Sequence, residues 1–160
     1  MWTNFFIAAA SASAALAGLV FVALSVNITR IIQFSHLPSR AAATMATLIL
    51  ILVSSMAALI PQPRWALGIE VILFAIYCCW RQLVSTRHGF AARAHLQRPR
   101  WEAYFNAIIG LVQLLPFIIG GALLVAGHGN SGFYWIAAGS IAIFIFSVLN
   151  AWVLLVEILR

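Results

Sequence analysis

Five long apolar stretches, separated by short polar connectors, set the pattern of hydrophobic and polar positions along the chain. A hydrocarbon core about 30 Å thick is crossed by about 20 helical residues, and each stretch is long enough. The pattern predicts spans at residues 5–29, 40–60, 65–84, 102–126 and 133–157. We therefore expect an all-α integral membrane fold, a bundle of five transmembrane helices in which residues 1–160 form one domain.

The connectors carry signals for helix ends. Pro38 follows the first predicted helix, and Ser39 is placed to cap the second. Segment 61–64, with two prolines, predicts a tight hairpin, and the glycine-rich segment 127–132 predicts a flexible turn. Only the connector at residues 85–101 is long enough to form more than a turn, and we expect it to be a basic cytoplasmic loop.

Composition excludes a soluble fold, since 64% of the residues are hydrophobic and 8% are charged. Five crossings place Arg64 on one side of the membrane and the other eight of the nine arginines on the opposite side. Positive residues in short loops mark the cytoplasmic side. The N-terminus is therefore expected outside and the C-terminus in the cytoplasm.

Tryptophan positions fit the same orientation, because indole rings prefer the level of the lipid headgroups. The expected outer set is Trp2, Trp65 and Trp135. The expected inner set is Trp80, Trp101 and Trp152.

Polar and small side chains recur on each predicted helix at steps of three or four residues, so each helix has one face unlike lipid. Two explanations stay open: close helix packing with interhelical hydrogen bonds, or a hydrated path. The residues expected in the polar interior are Tyr77, Asn106, Gln113, Ser147 and Asn150. The stripe of the first helix predicts close packing within the chain or between copies, and consists of Ser11, Ala15, Gly18, Val22, Ser25 and Thr29.

Two residues inside the spans stand out. Pro116 lies near the middle of the fourth span and removes a backbone hydrogen bond, so we expect a kink there, either a hinge or a static bend. Glu70 is the only acidic residue well inside a span. It is a candidate for binding a proton or a cation, and the alternative is a structural hydrogen bond between helices. Its expected partners at similar depth are Ser11, Ser13, Ser54 and Ser55.

The third connector and its approach carry a group of arginines expected to contact anionic lipid headgroups: Arg81, Arg87, Arg93, Arg98 and Arg100. An ordinary topology-setting loop is the alternative. Because orientation already accounts for the basic charge, we expect no nucleic-acid partner.

Catalytic chemistry has no support in the sequence. No nucleophile with a base, no metal-ligand cluster and no phosphate loop occurs. Cys78 and Cys79 are adjacent on a helix and point in different directions, so we expect small packing residues there. All four histidines lie in connectors, where they cannot clamp a haem inside the membrane. The chain is therefore predicted to be no enzyme and to use no metal or cofactor.

Three segments carry a resemblance to a known group: FFIAAASASAALAGLVFVALSVN at 5–27, HLPSRA at 36–41 and LGIE at 67–70. They resemble small bacterial multi-pass inner-membrane proteins, some labelled as modulators of a membrane-bound AAA+ protease. The resemblance covers about the first half of the chain. It implies the bacterial plasma membrane, and a shared importance of the first helix, the first connector and the Glu70 region, but no established activity.

Two functions follow as hypotheses. The first is a non-catalytic inner-membrane protein with an accessory, regulatory or assembly role, working as a homo-oligomer or in a larger membrane complex. The alternative is a homo-oligomeric small channel or transporter for protons, ions or small solutes, with Glu70 in its polar path.

Overall fold

The computed structural model describes residues 2–26, 28, 37–93 and 108–159, and these residues form helices and short turns without any strand. The helices are α1 (Trp2–Val26), α2 (Leu37–Leu59), α3 (Arg64–Arg93), α4 (Leu115–Val125) and α5 (Gly129–Leu159). Residues 108–112 are also helical and lead into α4. Each predicted span coincides with a stretch long and apolar enough to cross a membrane, which confirms the all-helical fold.

The helices are arranged as a bundle in which each packs against the next along the chain. In addition, α5 returns to touch α2 and, to a smaller extent, α1. The start of α1, the connector 60–63 and the connector 126–128 lie at one end of this bundle, which we call the turn end. At this end the side chain of Trp2 donates a hydrogen bond to the side chain of Asn130. The α1 and α5 helices therefore start side by side.

Both connectors at the turn end are closed by local backbone hydrogen bonds. The carbonyl of Pro63 accepts from the amides of Ala66 and Leu67, which starts α3 immediately after the second proline. At the other connector Gly127 has a φ of +86°, a left-handed conformation suited to glycine after a helix C-terminus. The amide of His128 then donates to the carbonyl of Leu123, and α4 ends.

The core is apolar and continuous and includes residues of all five helices. Fully buried side chains include Leu50, Val71, Phe117 and Ile143. The outer surface is apolar as well, since large side chains on every helix are exposed, from Leu19 on α1 to Ile145 on α5. An apolar exterior of this extent suits lipid, because soluble monomers rarely expose large contiguous apolar patches.

Paired glycines bring α3, α4 and α5 into backbone contact near the turn end. A Cβ added to Gly68 would lie 2.6 Å from the carbonyl oxygen of Gly121, and one added to Gly120 would lie 2.8 Å from that of Gly132. Neighbouring glycines on α4 therefore contact two different helices: Gly121 packs against α3, and Gly120 packs against α5. Small residues allow this approach in membrane bundles, where close packing replaces the hydrophobic effect as the source of association.

Near Pro116, where a kink is expected, the helix is interrupted at Gln113 and Leu114. The amides of Leu114 and Phe117 donate to carbonyls three residues back, those of Leu111 and Leu114. In a regular helix each amide donates to the carbonyl four residues back. Proline has no amide hydrogen and fits the first turn of a helix, so α4 restarts at Leu115 with Pro116 in its first turn.

Three predicted boundaries are wrong. The α3 helix continues through Arg93, so residues 85–93 are helical although the apolar pattern assigns them to the third connector. Apolar length indicates where lipid ends, whereas helical hydrogen bonding continues beyond it. The α2 helix already begins at Leu37, which places Ser39 inside the first turn and not at the cap. Pro38 tolerates that position because first-turn amides have no helical acceptor. The α5 helix begins at Gly129, so the turn after α4 is shorter than residues 127–132.

Candidate functional site

The α1 helix has a buried face and an uncovered face, and the uncovered one carries the small-residue stripe. Phe6, Ala9, Ser13 and Val20 are buried against the bundle. We call the described part of the stripe the α1 outer stripe, because its residues point away from the other helices: Ser11, Ala15, Gly18, Val22 and Ser25. The stripe therefore does not line the bundle interior, and of the two packing arrangements predicted for it, the one within the chain is wrong.

Aromatic side chains at the turn end fix this rotation of α1. The indole nitrogen of Trp2 donates to Asn130 Oδ1 at 3.0 Å. The ring of Trp2 lies 4.7 Å, centroid to centroid, from that of Tyr134, and the rings of Phe6 and Phe133 are 5.5 Å apart. Edge-on ring pairs at such distances are favourable beyond the area they bury. With Phe6 turned inward, the residues on the opposite side of α1 face outward.

The α1 outer stripe has its polar atoms already satisfied. The hydroxyls of Ser11 and Ser25 donate to the carbonyls of Ile7 and Phe21 within the same helix, at 2.9 Å each. A Cβ added to Gly18 would meet no atom within 4 Å. The stripe is therefore open and compatible with an apolar surrounding, with Val22 as its one large exposed side chain.

Glu70 lies on an exposed face of α3 and bonds to the hairpin, not to the predicted serines. The Gln62 amide donates to Glu70 Oε2 at 3.0 Å and to the carbonyl of Ala57 at 3.1 Å. This bridge links the end of α2 to α3. It is a structural hydrogen bond between helices, the alternative role predicted for Glu70. Arg64 extends elsewhere, since its side chain lies over Gly129 at the start of α5.

The serines predicted to partner Glu70 have other environments. Ser11 is exposed, and Ser13 is buried and donates to the carbonyl of Ala10 at 2.9 Å. Ser54 and Ser55 are buried on α2, while Glu70 is exposed. The four residues therefore do not form a cluster around Glu70 in the described structure.

The Gln62 bridge gives a first prediction. Replacing Gln62 by leucine removes both hydrogen bonds and is expected to lower the free energy of unfolding by about 1 kcal/mol, the usual net contribution of such bonds. A double-mutant cycle of Gln62→Leu with Glu70→Leu should give a coupling of about 0.6 kcal/mol, typical of interhelical pairs in membranes. The measurement is reversible unfolding in mixed micelles. Strictly additive effects would contradict the bridge.

The predicted polar interior is only partly brought together. Gln113 and Ser147 are buried, and Asn150 is half-buried. Tyr77 is exposed, which corrects its predicted place, because α3 packs through the opposite face that contains Gly68, Ala75 and Cys78. The thiol of Cys78 donates to the carbonyl of Ala46 at 3.3 Å and connects α3 to α2. Asn106 lies outside the described residues.

The arginines predicted to contact headgroups begin at the end of α3 remote from the turn end. Arg81 is half-buried and Arg87 is exposed, and α3 ends at Arg93. Arg98 and Arg100 lie outside the described residues. The described arginines of this group therefore lie where a lipid–water boundary would fall if α3 crosses the membrane.

Three comparisons, with protein-family models, with curated proteins and with solved structures, gave no match to the chain. The class of the protein therefore rests on its fold. Five helices long and apolar enough to span a bilayer fit a multi-pass membrane protein. Within that class, the α1 outer stripe and the Gln62 bridge to Glu70 are the features that bear on function.

Proposed function

We propose that this chain is a non-catalytic protein of the bacterial plasma membrane with an assembly or accessory role. In this proposal the N-terminus faces outward, the C-terminus faces the cytoplasm, and two copies associate through the α1 outer stripe. The observation that carries the proposal is the outward position of the stripe. The small residues Ser11, Ala15 and Gly18 are left uncovered on a helix that buries Phe6, Ala9, Ser13 and Val20 against the bundle, and larger side chains such as Leu19 and Phe21 are exposed beside them.

A second copy is the partner that this face fits best. The arginine asymmetry predicts one orientation for every copy, and in that case the α1 helices of two copies run parallel. Parallel helices with small residues spaced by four can bring their backbones together, and Ser11/Ala15 and Ala14/Gly18 have this spacing. The resulting contact is a two-fold, self-complementary interface. Larger partners can use the same face, and co-purification of another membrane protein would identify one.

The test is the association of labelled copies in liposomes over a range of protein-to-lipid ratios. Substitution of both Ala15 and Gly18 by isoleucine should weaken self-association at least about tenfold, equivalent to about 1.4 kcal/mol. The matched control is the double variant Ala122→Ile with Ala138→Ile, which adds two isoleucine side chains at exposed positions on α4 and α5. Energy transfer between wild-type copies that stays at the level expected for randomly distributed proteins at every protein-to-lipid ratio, or an equal effect of the control, would overturn the proposal.

A channel or transporter is the second candidate, and the exposed carboxylate of Glu70 on an apolar helix favours it. Within one copy the described interior offers little support for a path, since the buried hydroxyls of Ser13, Thr47 and Ser140 donate to carbonyls of their own helices. A path would therefore lie between copies. Proton or cation flux into liposomes, measured for the wild type and for Glu70→Gln, tests it. Flux that is lost in Glu70→Gln, while assembly is retained, would favour this function over the accessory role.

A further inference from the structure

At the interruption of the fourth span, the buried side-chain oxygen of Gln113 has no hydrogen-bond partner, and the backbone beside it lacks some of its regular helical hydrogen bonds. Gln113 is 7% exposed, and its Oε1 has no hydrogen-bond donor within the described part of the chain. A buried acceptor left without a donor is unfavourable, because it has lost its hydrogen bonds to water and gained none in return. The surrounding structure therefore favours any small molecule that can donate a hydrogen bond to Oε1.

The backbone at the same place also lacks its regular donors. Pro116 has no amide hydrogen to offer the carbonyl of Val112. The amide of Leu114 donates to the carbonyl of Leu111, so the carbonyl of Gly110 does not receive its regular helical hydrogen bond. The amide of Phe117 donates to the carbonyl of Leu114, so the carbonyl of Gln113 does not receive its regular bond either. Helical carbonyls freed in this way are re-satisfied in membrane proteins by neighbouring side chains or by ordered water.

We propose that the break between Gln113 and Pro116 is a binding site for ordered water inside the bundle, with Gln113 Oε1 as its side-chain ligand. Water fits because it donates two hydrogen bonds and the break presents acceptors. A cation fits less well, since the start of α4 at Leu115 brings the positive end of a helix dipole to the same place. Glu70, the one carboxylate inside the described apolar spans, lies near the turn end, far along α3 from the level of Gln113.

The neighbours of the break explain why water would be retained. Phe117 is completely buried, and a Cβ added to Gly139 would lie 2.8 Å from its ring. The α5 helix therefore packs directly against α4 next to the break. Leu114 is also completely buried. Water held there exchanges through a packed apolar layer and is therefore ordered, as buried waters bound to otherwise unpaired polar groups are. This inference does not depend on the association of copies through α1.

Hydroxyl-radical labelling by brief X-ray exposure tests the site, because radicals form from bound water as well as from bulk water and oxidise the side chains beside it. Leu114 and Leu48 are a matched pair, the same residue type and both completely buried, on the fourth span and on α2 respectively. With the wild-type chain in nanodiscs, we expect Leu114 to be oxidised severalfold faster than Leu48. Equal and negligible rates for the two leucines would overturn the proposal without the need for any variant.

Two substitutions sharpen the result. Gln113→Leu removes the ligand and should reduce the oxidation of Leu114 to the level of Leu48, without raising the melting temperature. A rise in melting temperature would instead show that Oε1 is dry and unpaired in the wild type. Pro116→Ala restores a donor for the carbonyl of Val112 and should also reduce oxidation of Leu114. If both variants fold and Leu114 is labelled as in the wild type, the break is not the water site.

Discussion

Substitution of Gly68 by isoleucine is expected to destabilise the bundle by about 3 kcal/mol or more, because it forces bulk into a closely packed contact between two helices. Even a Cβ at Gly68 would lie 2.6 Å from the carbonyl oxygen of Gly121 and 2.9 Å from Val125 Cγ2. A backbone oxygen cannot rotate away as a side chain can, so α3 and α4 must separate. Separation also removes the packing that takes the place of the hydrophobic effect between helices in lipid.

The comparison variant is Gly18→Ile, which places the same side chain on a glycine of α1 with no atom within 4 Å. Measured at high dilution in detergent, where copies are separated, this variant should stay within about 0.5 kcal/mol of the wild type. Reversible unfolding in mixed micelles gives both values. If Gly68→Ile were as mild as Gly18→Ile, the glycine contact between α3 and α4 would be wrong.

Phe6→Ala is expected to have the second largest effect, a loss of about 2–3 kcal/mol in the free energy of unfolding. Phe6 is 2% exposed and contacts the rings of Trp2, Phe5 and Phe133 at the turn end. Lipid tails are as apolar as a protein core, so the loss comes from the cavity and the missing ring contacts and not from transfer to water. We expect the α1 helix to become less fixed in rotation, because the ring contacts with α5 are lost while its packing against α2 remains.

Phe21→Ala is the control on the same helix, since Phe21 is 62% exposed and faces outward. Its effect on unfolding should stay within about 0.5 kcal/mol. Rotation of α1 can be followed separately by the accessibility of cysteines placed at Ala9 and Ala15, in a chain with Cys78 and Cys79 replaced by alanine. Retention of the wild-type accessibility pattern in Phe6→Ala would show that the rings do not set the rotation.

Several features of the fold follow from local sequence. The five apolar helices, the 60–63 hairpin with its two prolines and the break near Pro116 depend on apolar length, the missing amide hydrogen of proline and the conformational freedom of glycine. Trp2, Trp65 and Trp135 lie near the turn end, and Trp80 and Trp152 lie toward the opposite end, as their positions along the spans predict. These properties belong to each segment alone.

The faces that the helices present to each other could not be obtained in the same way. On α2 the side that is rich in small and polar residues is the buried one, and it includes Thr44, Thr47 and Ile51. On α1 and α3 the same reasoning selects the uncovered side. Polar or small character marks a face as unlike lipid, but it does not distinguish a contact within the chain from one with another molecule.

The five long apolar helices, and most of the positions at which they begin and end, follow from segment length and from the local chemistry of proline and glycine. The choice of rotation for each helix, in contrast, is made by tertiary contacts. That choice depends on pairs far apart in the chain, such as Trp2 with Asn130 and Gly68 with Gly121. Because distant segments fit one another in shape, the small residues of α1 face outward and Gln62 bonds to Glu70. The periodicity of residues within one helix does not predict either result.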